Sequence, residues 1–173
     1  GLMVIPRLLS RGTVVAALMH DNRLTIAHVG DSRMYRLRKD TFEQLTMDHS
    51  LLQELVDRGF YSAEEAQRAT NKNYVTRALG VETTVDVEVH ELPVEAGDWL
   101  VLCSDGLTDM VEDEDIHLTI STFGGNLDTV ARQLVQLAND SGGRDNISVV
   151  LAQVVELFPA RRGRLDRILA WFG

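Results

Sequence analysis

Three aspartates sit where strands end: Asp31 in "VGDSR" (29–33), Asp105 in "CSDGL" (103–107) and Asp145 in "GGRDNIS" (142–148). Each lies beside a Gly, an Asn or a Ser at the edge of an apolar run. Singly, each has an ordinary explanation: a hairpin turn at Asp31-Ser32, strand punctuation at Asp105-Gly106, a turn cap before the last strand at Asp145. If the strands share one sheet end, however, three hard oxygen donors converge. Carboxylates without Cys or His ligands suit Mg²⁺ or Mn²⁺ better than zinc or copper. Gly106 would leave the turn beside such ions free of a side chain, and Asn146 is the supporting neighbour of Asp145.

The elements that must carry these residues follow from periodicity. "TVVAALMH" (13–20), "RLTIAHVG" (23–30) and "RMYRLRKD" (33–40) are β-like, and their short polar joints "DN" and "DS" read as hairpins. "FEQLT" (42–46) continues the meander. From Ser50 the period becomes helical, with a capping-box pattern at Ser50 and Gln53 and a stop at Gly59; a second box, Ser62 with Glu65, starts another short helix. Residues 69–76 are polar and aperiodic.

Strands return with "VDVEVHEL" (85–92), where Val85, Val87 and Val89 share one face and Asp86, Glu88 and His90 the other. "DWLVLCS" (98–104) is apolar throughout, as a strand covered on both faces should be. The acids of "EDED" (112–115) suit a helix N-terminus. Leu127, Val130, Ala131, Leu134 and Ala138 mark an amphipathic helix closed by Gly142 and Gly143, and "NISVVLAQVVEL" (146–157) reads as a last central strand. Strands, two small helices, strands, two helices and a strand make an α+β domain rather than a doubly wound parallel sheet.

Composition narrows the function classes. The chain has 173 residues, 45% apolar, enough for one domain with a sizeable core. Its formal charge is −9, which argues against nucleic-acid backbones and for cations as partners. The last fifteen residues alone carry four Arg and one Asp. A single cysteine, Cys103, rules out an internal disulfide framework and a Cys-based zinc cluster and fits a reducing compartment. No apolar run approaches the roughly 20 residues of a membrane span, and "GLMVIPRLLS" has no secretion-signal pattern, so a soluble, cytoplasmic chain is expected.

In the order "VGDSR", "TMDHSLLQELVDRG", "VTRALG", "SDGLTDMV" and "GGRDNISVVL", the sequence resembles the metal-dependent protein serine/threonine phosphatases of the PP2C (PPM) type, in their bacterial form. The resemblance runs from about Gly12 to Val155. It implies a four-layer αββα sandwich of two antiparallel sheets between helix pairs. It also implies that Asp105 and Asp145 ligate a catalytic pair of Mn²⁺ or Mg²⁺ ions, and that Asp31, with Asp105, helps hold a third. Residues 48–80 correspond to the flap beside the cleft, from which Arg77 would approach substrate. Two close divalent ions polarise a phosphoryl oxygen and activate a shared water for in-line attack, so no side-chain nucleophile is required. Implied partners are phosphoserine and phosphothreonine proteins and an opposing Ser/Thr kinase.

The domain reading is an unassigned segment at 1–11, the phosphatase-like domain at 12–157 and a basic tail at 158–173. Family motifs expected ahead of "GTVVAALM" are a phosphate-binding Arg, an acidic "NED"-type strand and "DGMGG", whose Asp bridges the catalytic ions. None of them occurs within residues 1–173. The first strands of both sheets are therefore expected to be missing, leaving edges that invite pairing with another chain. Truncation or a separate upstream chain, an oligomer that replaces the strands, and a noncatalytic phosphatase-like binding module stand as explanations; the intact Asp31, Asp105 and Asp145 favour truncation of a competent enzyme. A covalent-aspartate phosphohydrolase would want an Asp-x-Asp pair, which "SDGLTD" does not supply.

The histidines lack metal-ligand spacing along the sequence, and structural roles are expected for His28, His49 and His90. Arg33 is expected to brace the Asp31 turn. In the tail, Leu165, Ile168, Leu169 and Phe172 fall at helical spacing among Arg161, Arg162, Arg164 and Arg167. That pattern suits a basic amphipathic helix docked on its own domain, on a partner or on an anionic membrane.

Overall fold

The computed structural model describes residues 2–6, 12–62, 65, 75–79 and 84–158. Among these residues, eight strands form two four-stranded antiparallel sheets. Strands β1 (Leu2–Pro6), β2 (Val14–His20), β3 (Arg23–Val29) and β6 (Glu88–Pro93) form the first sheet in the order β1-β2-β3-β6. The second has the order β5-β4-β7-β8, from β4 (Arg33–Arg38), β5 (Thr41–Gln44), β7 (Trp99–Cys103) and β8 (Val149–Gln153). Helices α1 (Leu51–Asp57), α2 (Asp105–Thr108), α3 (Asp113–Phe123) and α4 (Leu127–Asp140) complete the described elements. None is long and apolar enough to cross a membrane.

The inner faces of the two sheets pack on each other through Val15, Ala17, Leu24, Ile26, Met34, Leu100 and Leu102. On the other side of the second sheet, Tyr35, Val101, Cys103 and Leu107 meet Ile116, Ile120, Val130, Leu134 and Ala138 of α3 and α4. All five residues of β7 are buried, because alternate side chains serve both cores. Among the described residues no helix covers the outer face of the first sheet, where Leu18, Val87 and Val89 are exposed.

Local chemistry accounts for most boundaries. Asp21 and Asn22 both adopt left-handed backbone, φ 50° and 59°, which is the turn a tight two-residue hairpin demands. Ser50 caps α1 by accepting the Gln53 N–H, and Asn126 caps α4 by accepting the Thr129 N–H. Glu65 and Ser62 make the expected reciprocal capping bonds. The helix expected after them falls mostly outside the described residues, as do residues 7–11, most of 69–76 and the tail from 159.

Four expectations change. Asp31-Ser32 is not a hairpin: β3 and β4 lie in different sheets, so residues 30–32 carry the chain across between them. The segment read as unassigned contains β1, paired from Leu2↔Leu18 to Pro6↔Val14. The last strand is shorter than 146–157 and lies at an edge of its sheet rather than at the centre, because pairing with β7 ends where the Val154 N–H turns to the Asp98 carbonyl. In β6 the polar residues are the better covered ones. Glu88 and His90 are half-buried while Val87 and Val89 are exposed, because the inward histidine is paired to a backbone carbonyl, His90 Nε2–H to Leu45 O at 2.8 Å.

A buried ion pair ties β4 to the turn before β7. Arg38 donates from Nε and Nη2 to Asp98 at 2.8 and 2.7 Å, and the Glu95 N–H donates to the same carboxylate at 2.8 Å. Burial pushes the Asp98 pKa up, but these three bonds outweigh it and hold the carboxyl below its ordinary range. A folded-state pKa below the unfolded one gives stability that is present above the ordinary carboxylate value and lost as pH falls through the depressed one. Asp98→Asn is therefore expected to cost about 2 kcal/mol near neutrality and to flatten the acid limb of stability, measured by urea unfolding from pH 7 down to pH 3.

Candidate metal centre

Register brings the three aspartates to one end of the second sheet. Arg33 pairs with Cys103, and Cys103 with Val149. Asp31 precedes β4 by two residues, Asp105 follows β7 by two, and Asp145 precedes β8 by four. Antiparallel pairing on both sides of β7 thus makes all three leave the sheet on the same side. Asp31 and Asp105 are half-buried and Asp145 is exposed.

The Asp105 and Asp145 turns are held together by their backbones. Ser104 Oγ donates to the Asn146 carbonyl and accepts the Ser148 N–H, both at 3.0 Å. The Ser104 N–H donates to the Ser148 carbonyl at 3.0 Å. Asp105 Oδ1 accepts the N–H of Gly106 at 2.9 Å, and Asp145 Oδ1 that of Asn146 at 2.7 Å. A Cβ on Gly106 would lie 2.4 Å from the Asn146 carbonyl oxygen, so only glycine permits this approach. "SDGLTD" thereby opens as the one-turn helix α2 rather than as a simple turn.

The Asp31 turn depends on a second glycine. Gly30 has φ +103°, and a Cβ there would meet Thr13 Cγ2 at 2.3 Å. Thr13 and Ser32 share a hydroxyl hydrogen bond of 2.9 Å across the crossover. Arg33 forks onto Asp48, with Nε–Oδ1 at 2.9 Å and Nη2–Oδ2 at 2.7 Å, and donates from Nη1 to Tyr35 Oη, which in turn donates to Asp113 at 3.0 Å. Burial opposes the Arg33 charge, but the Asp48 bonds overcome it and keep the guanidinium firmly protonated. The Arg33 cation is thus spent on Asp48, just ahead of α1. Arg77 lies apart from it, exposed, with Nη1 3.4 Å from Asp86.

The donor set fits a hard divalent ion: carboxylate oxygens on rigid strand ends, two of them on turns locked together by Ser104 and Gly106. Two side chains beside the aspartates are poor nucleophiles. Burial pushes the Cys103 thiol up to about 12, and the Ser104 hydroxyl is committed to two backbone partners.

A different cluster was hidden in the sequence. His28, His49 and Glu88, widely separated along the chain, bring one ligand atom each within 4.8 Å of one another. The stacked His28 and His49 rings lie 4.6 Å apart. Hydrogen-bond directions speak against a metal there. A carbonyl only accepts, so His28 Nε2 carries the proton donated to Met47 O at 2.8 Å. His49 Nδ1 accepts the Gly30 N–H at 3.2 Å, which leaves the proton on Nε2, facing Glu88 Oε2 at 3.2 Å. The ring nitrogens nearest Glu88 are thus donors rather than ligands. His28 Nδ1 is buried without a hydrogen bond, and burial lowers the His28 pKa, so this ring is neutral.

Comparison with known proteins agrees with the geometry. The family model described as "Stage II sporulation protein E (SpoIIE)" matches residues 12–155. The serine/threonine phosphatase stp of Listeria innocua is 43% identical over 141 residues, covering 82% of this chain and 56% of that protein. The crystal structure of the Mycobacterium tuberculosis serine/threonine phosphatase PstP/Ppp superposes with a TM-score of 0.79 at 38% identity, over 83% of this chain and 60% of that one. The catalytic domain of PstP in complex with two manganese ions gives 0.75 at 38% identity, over 84% and 60%. The chain belongs to the SpoIIE/PP2C-type family, and the bacterial relatives it matches include serine/threonine phosphatases. It spans a little over half the length of the relatives it matches.

Gly106→Ala tests the locked turns. It is expected to destabilise the chain by about 1–3 kcal/mol, because the added methyl meets unyielding backbone. Gly125→Ala, at a glycine with nothing within 4 Å of its Cβ position, is expected to stay within about 0.5 kcal/mol in the same urea titrations.

Proposed function

We propose that this chain carries the strand-end carboxylates and flap base of a PP2C-type phosphatase that hydrolyses phosphoserine and phosphothreonine in proteins, opposing a Ser/Thr kinase. The observation that carries the reading is the arrival of Asp31, Asp105 and Asp145 at one sheet end from neighbouring strands. In this reading Asp105 and Asp145 hold the catalytic pair of Mn²⁺ or Mg²⁺ ions and Asp31 contributes to a third. When bound, the ions supply Lewis-acid polarisation of the phosphoryl group and activation of the attacking water.

The remaining tasks fall to residues of the chain. Ser104 and Gly106 fix the spacing of the two carboxylate turns. Arg33, neutralised by Asp48, braces the third turn without competing for phosphate. Arg77 offers an exposed cation at the flap for the substrate's dianion. A net charge of −9 would repel a phosphoprotein from an ion-free site, so substrate binding and metal loading are coupled.

The bridging carboxylate that the family resemblance calls for is not among residues 1–173, so this chain alone is expected to bind Mn²⁺ but turn over little p-nitrophenyl phosphate. Calorimetric titration with Mn²⁺ should give measurable heat, and Asp105→Asn should weaken it by about tenfold or more. Adding an upstream segment with the "NED" and "DGMGG" motifs should restore hydrolysis, which Asp105→Asn should again abolish. Absence of Mn²⁺ heat even in that completed protein would favour a noncatalytic binding module instead, and ordinary phosphatase rates from the unextended chain would refute the claim of incompleteness.

A further inference from the structure

We propose that His49 is a positioning residue for the metal-binding turn: its Nδ1 holds the Gly30 N–H and thereby sets the peptide that presents Asp31, coupling the flap base to the metal centre. The inference rests on the assignment of Asp31 as a metal ligand.

His49 makes four bonds to three separate segments. Its N–H donates to the Gly30 carbonyl at 2.9 Å and its Nδ1 accepts the Gly30 N–H at 3.2 Å. Its carbonyl accepts the Thr76 N–H at 2.8 Å, one residue from Arg77. Its Nε2–H faces Glu88 on β6 at 3.2 Å. Both polar backbone atoms of Gly30 are thus held by one residue, and Asp31 is next in the chain. Gly30, at φ +103°, lies beyond the last β2–β3 pair, Val14↔Val29, so His49 holds its peptide outside the ladder.

The rest of the cluster fixes the His49 ring. Glu88 favours the proton on Nε2, leaving Nδ1 bare as an acceptor. His28 stacks on the ring at 4.6 Å and is itself pinned by Met47 O. This is the arrangement by which residues behind a ligand orient it and tune its affinity. It also gives the flap a path to the metal: a shift at Thr76 pulls on His49, and His49 pulls on Gly30.

Two isosteres separate the bonds. In His49→Asn the side-chain oxygen can replace Nδ1 and keep the Gly30 N–H; in His49→Gln the amide nitrogen can replace Nε2 toward Glu88 but leaves Gly30 without its acceptor. On the 173-residue chain, NMR would follow Gly30 amide exchange without metal and Mn²⁺ broadening of the Asp31 amide. The Asn variant should match the unaltered chain within about twofold on both, whereas the Gln variant should show about tenfold faster exchange and a Mn²⁺ midpoint raised about tenfold.

Melting temperatures would be recorded for both variants. If the two lose stability alike and keep the same Mn²⁺ midpoint, His49 is only structural and the proposal fails. Broadening absent from the unaltered chain would instead overturn the Asp31 metal assignment, and the positioning role with it. Tight Zn²⁺ binding lost equally in His28→Gln and His49→Asn would replace the proposal with a metal site at the histidine cluster.

Discussion

The structure depends on the pairing of β7 with a neighbour on each side. The side chains of β7 feed both cores and all five of its residues are buried, so it fixes the spacing of the facing sheet below and the helices above. Its partners β4 and β8 are then antiparallel to it by necessity. One end of the sheet collects the exit of β7 and the entries of β4 and β8, and these are the three places where the aspartates lie. The arrival of the three aspartates at one sheet end is thus a consequence of the core rather than a feature added to it.

Close approach then sharpens that coarse placement. Ser104 spans to Asn146 and Ser148, and Gly106 lets the two turns touch where a methyl group would collide with a carbonyl. Backbone hydrogen bonds within and between the two turns fix the Asp105 and Asp145 peptides more firmly than long side chains could. The Asp31 turn is secured by the segment that leads into α1, through the Arg33–Asp48 fork and the His49–Gly30 pair.

Electrostatics is organised in the same way. The half-buried cations Arg33 and Arg38 are both consumed by carboxylates, Asp48 and Asp98, and each pair joins different segments of the chain. The histidines between the sheets are engaged by backbone groups and by Glu88: His28 at Met47 O, His90 at Leu45 O, and His49 at the Gly30 N–H and Glu88. Asp31, Asp105 and Asp145 stand apart from these pairs, at one end of the second sheet.

The sequence alone determined the α+β class, most strands and helices, and the family, because alternation, capping boxes and the motifs around Asp31, Asp105 and Asp145 are local signals. It also pointed to those aspartates as a set, and to Arg33 as a brace. What only the tertiary structure decided is everything that depends on which strands become neighbours. The "DS" joint has hairpin composition, yet it crosses between sheets because β4 finds a better partner in β7 than in β3. Val87 and Val89 look like a core face, yet they point outward because Glu88 and His90 meet paired polar groups between the sheets. The convergence of His28, His49 and Glu88 had no trace in their spacing, since β3–β6 pairing and the fold of the 45–49 link bring them together. Local propensity writes the elements; long-range pairing and the satisfaction of buried polar groups decide what they bring together.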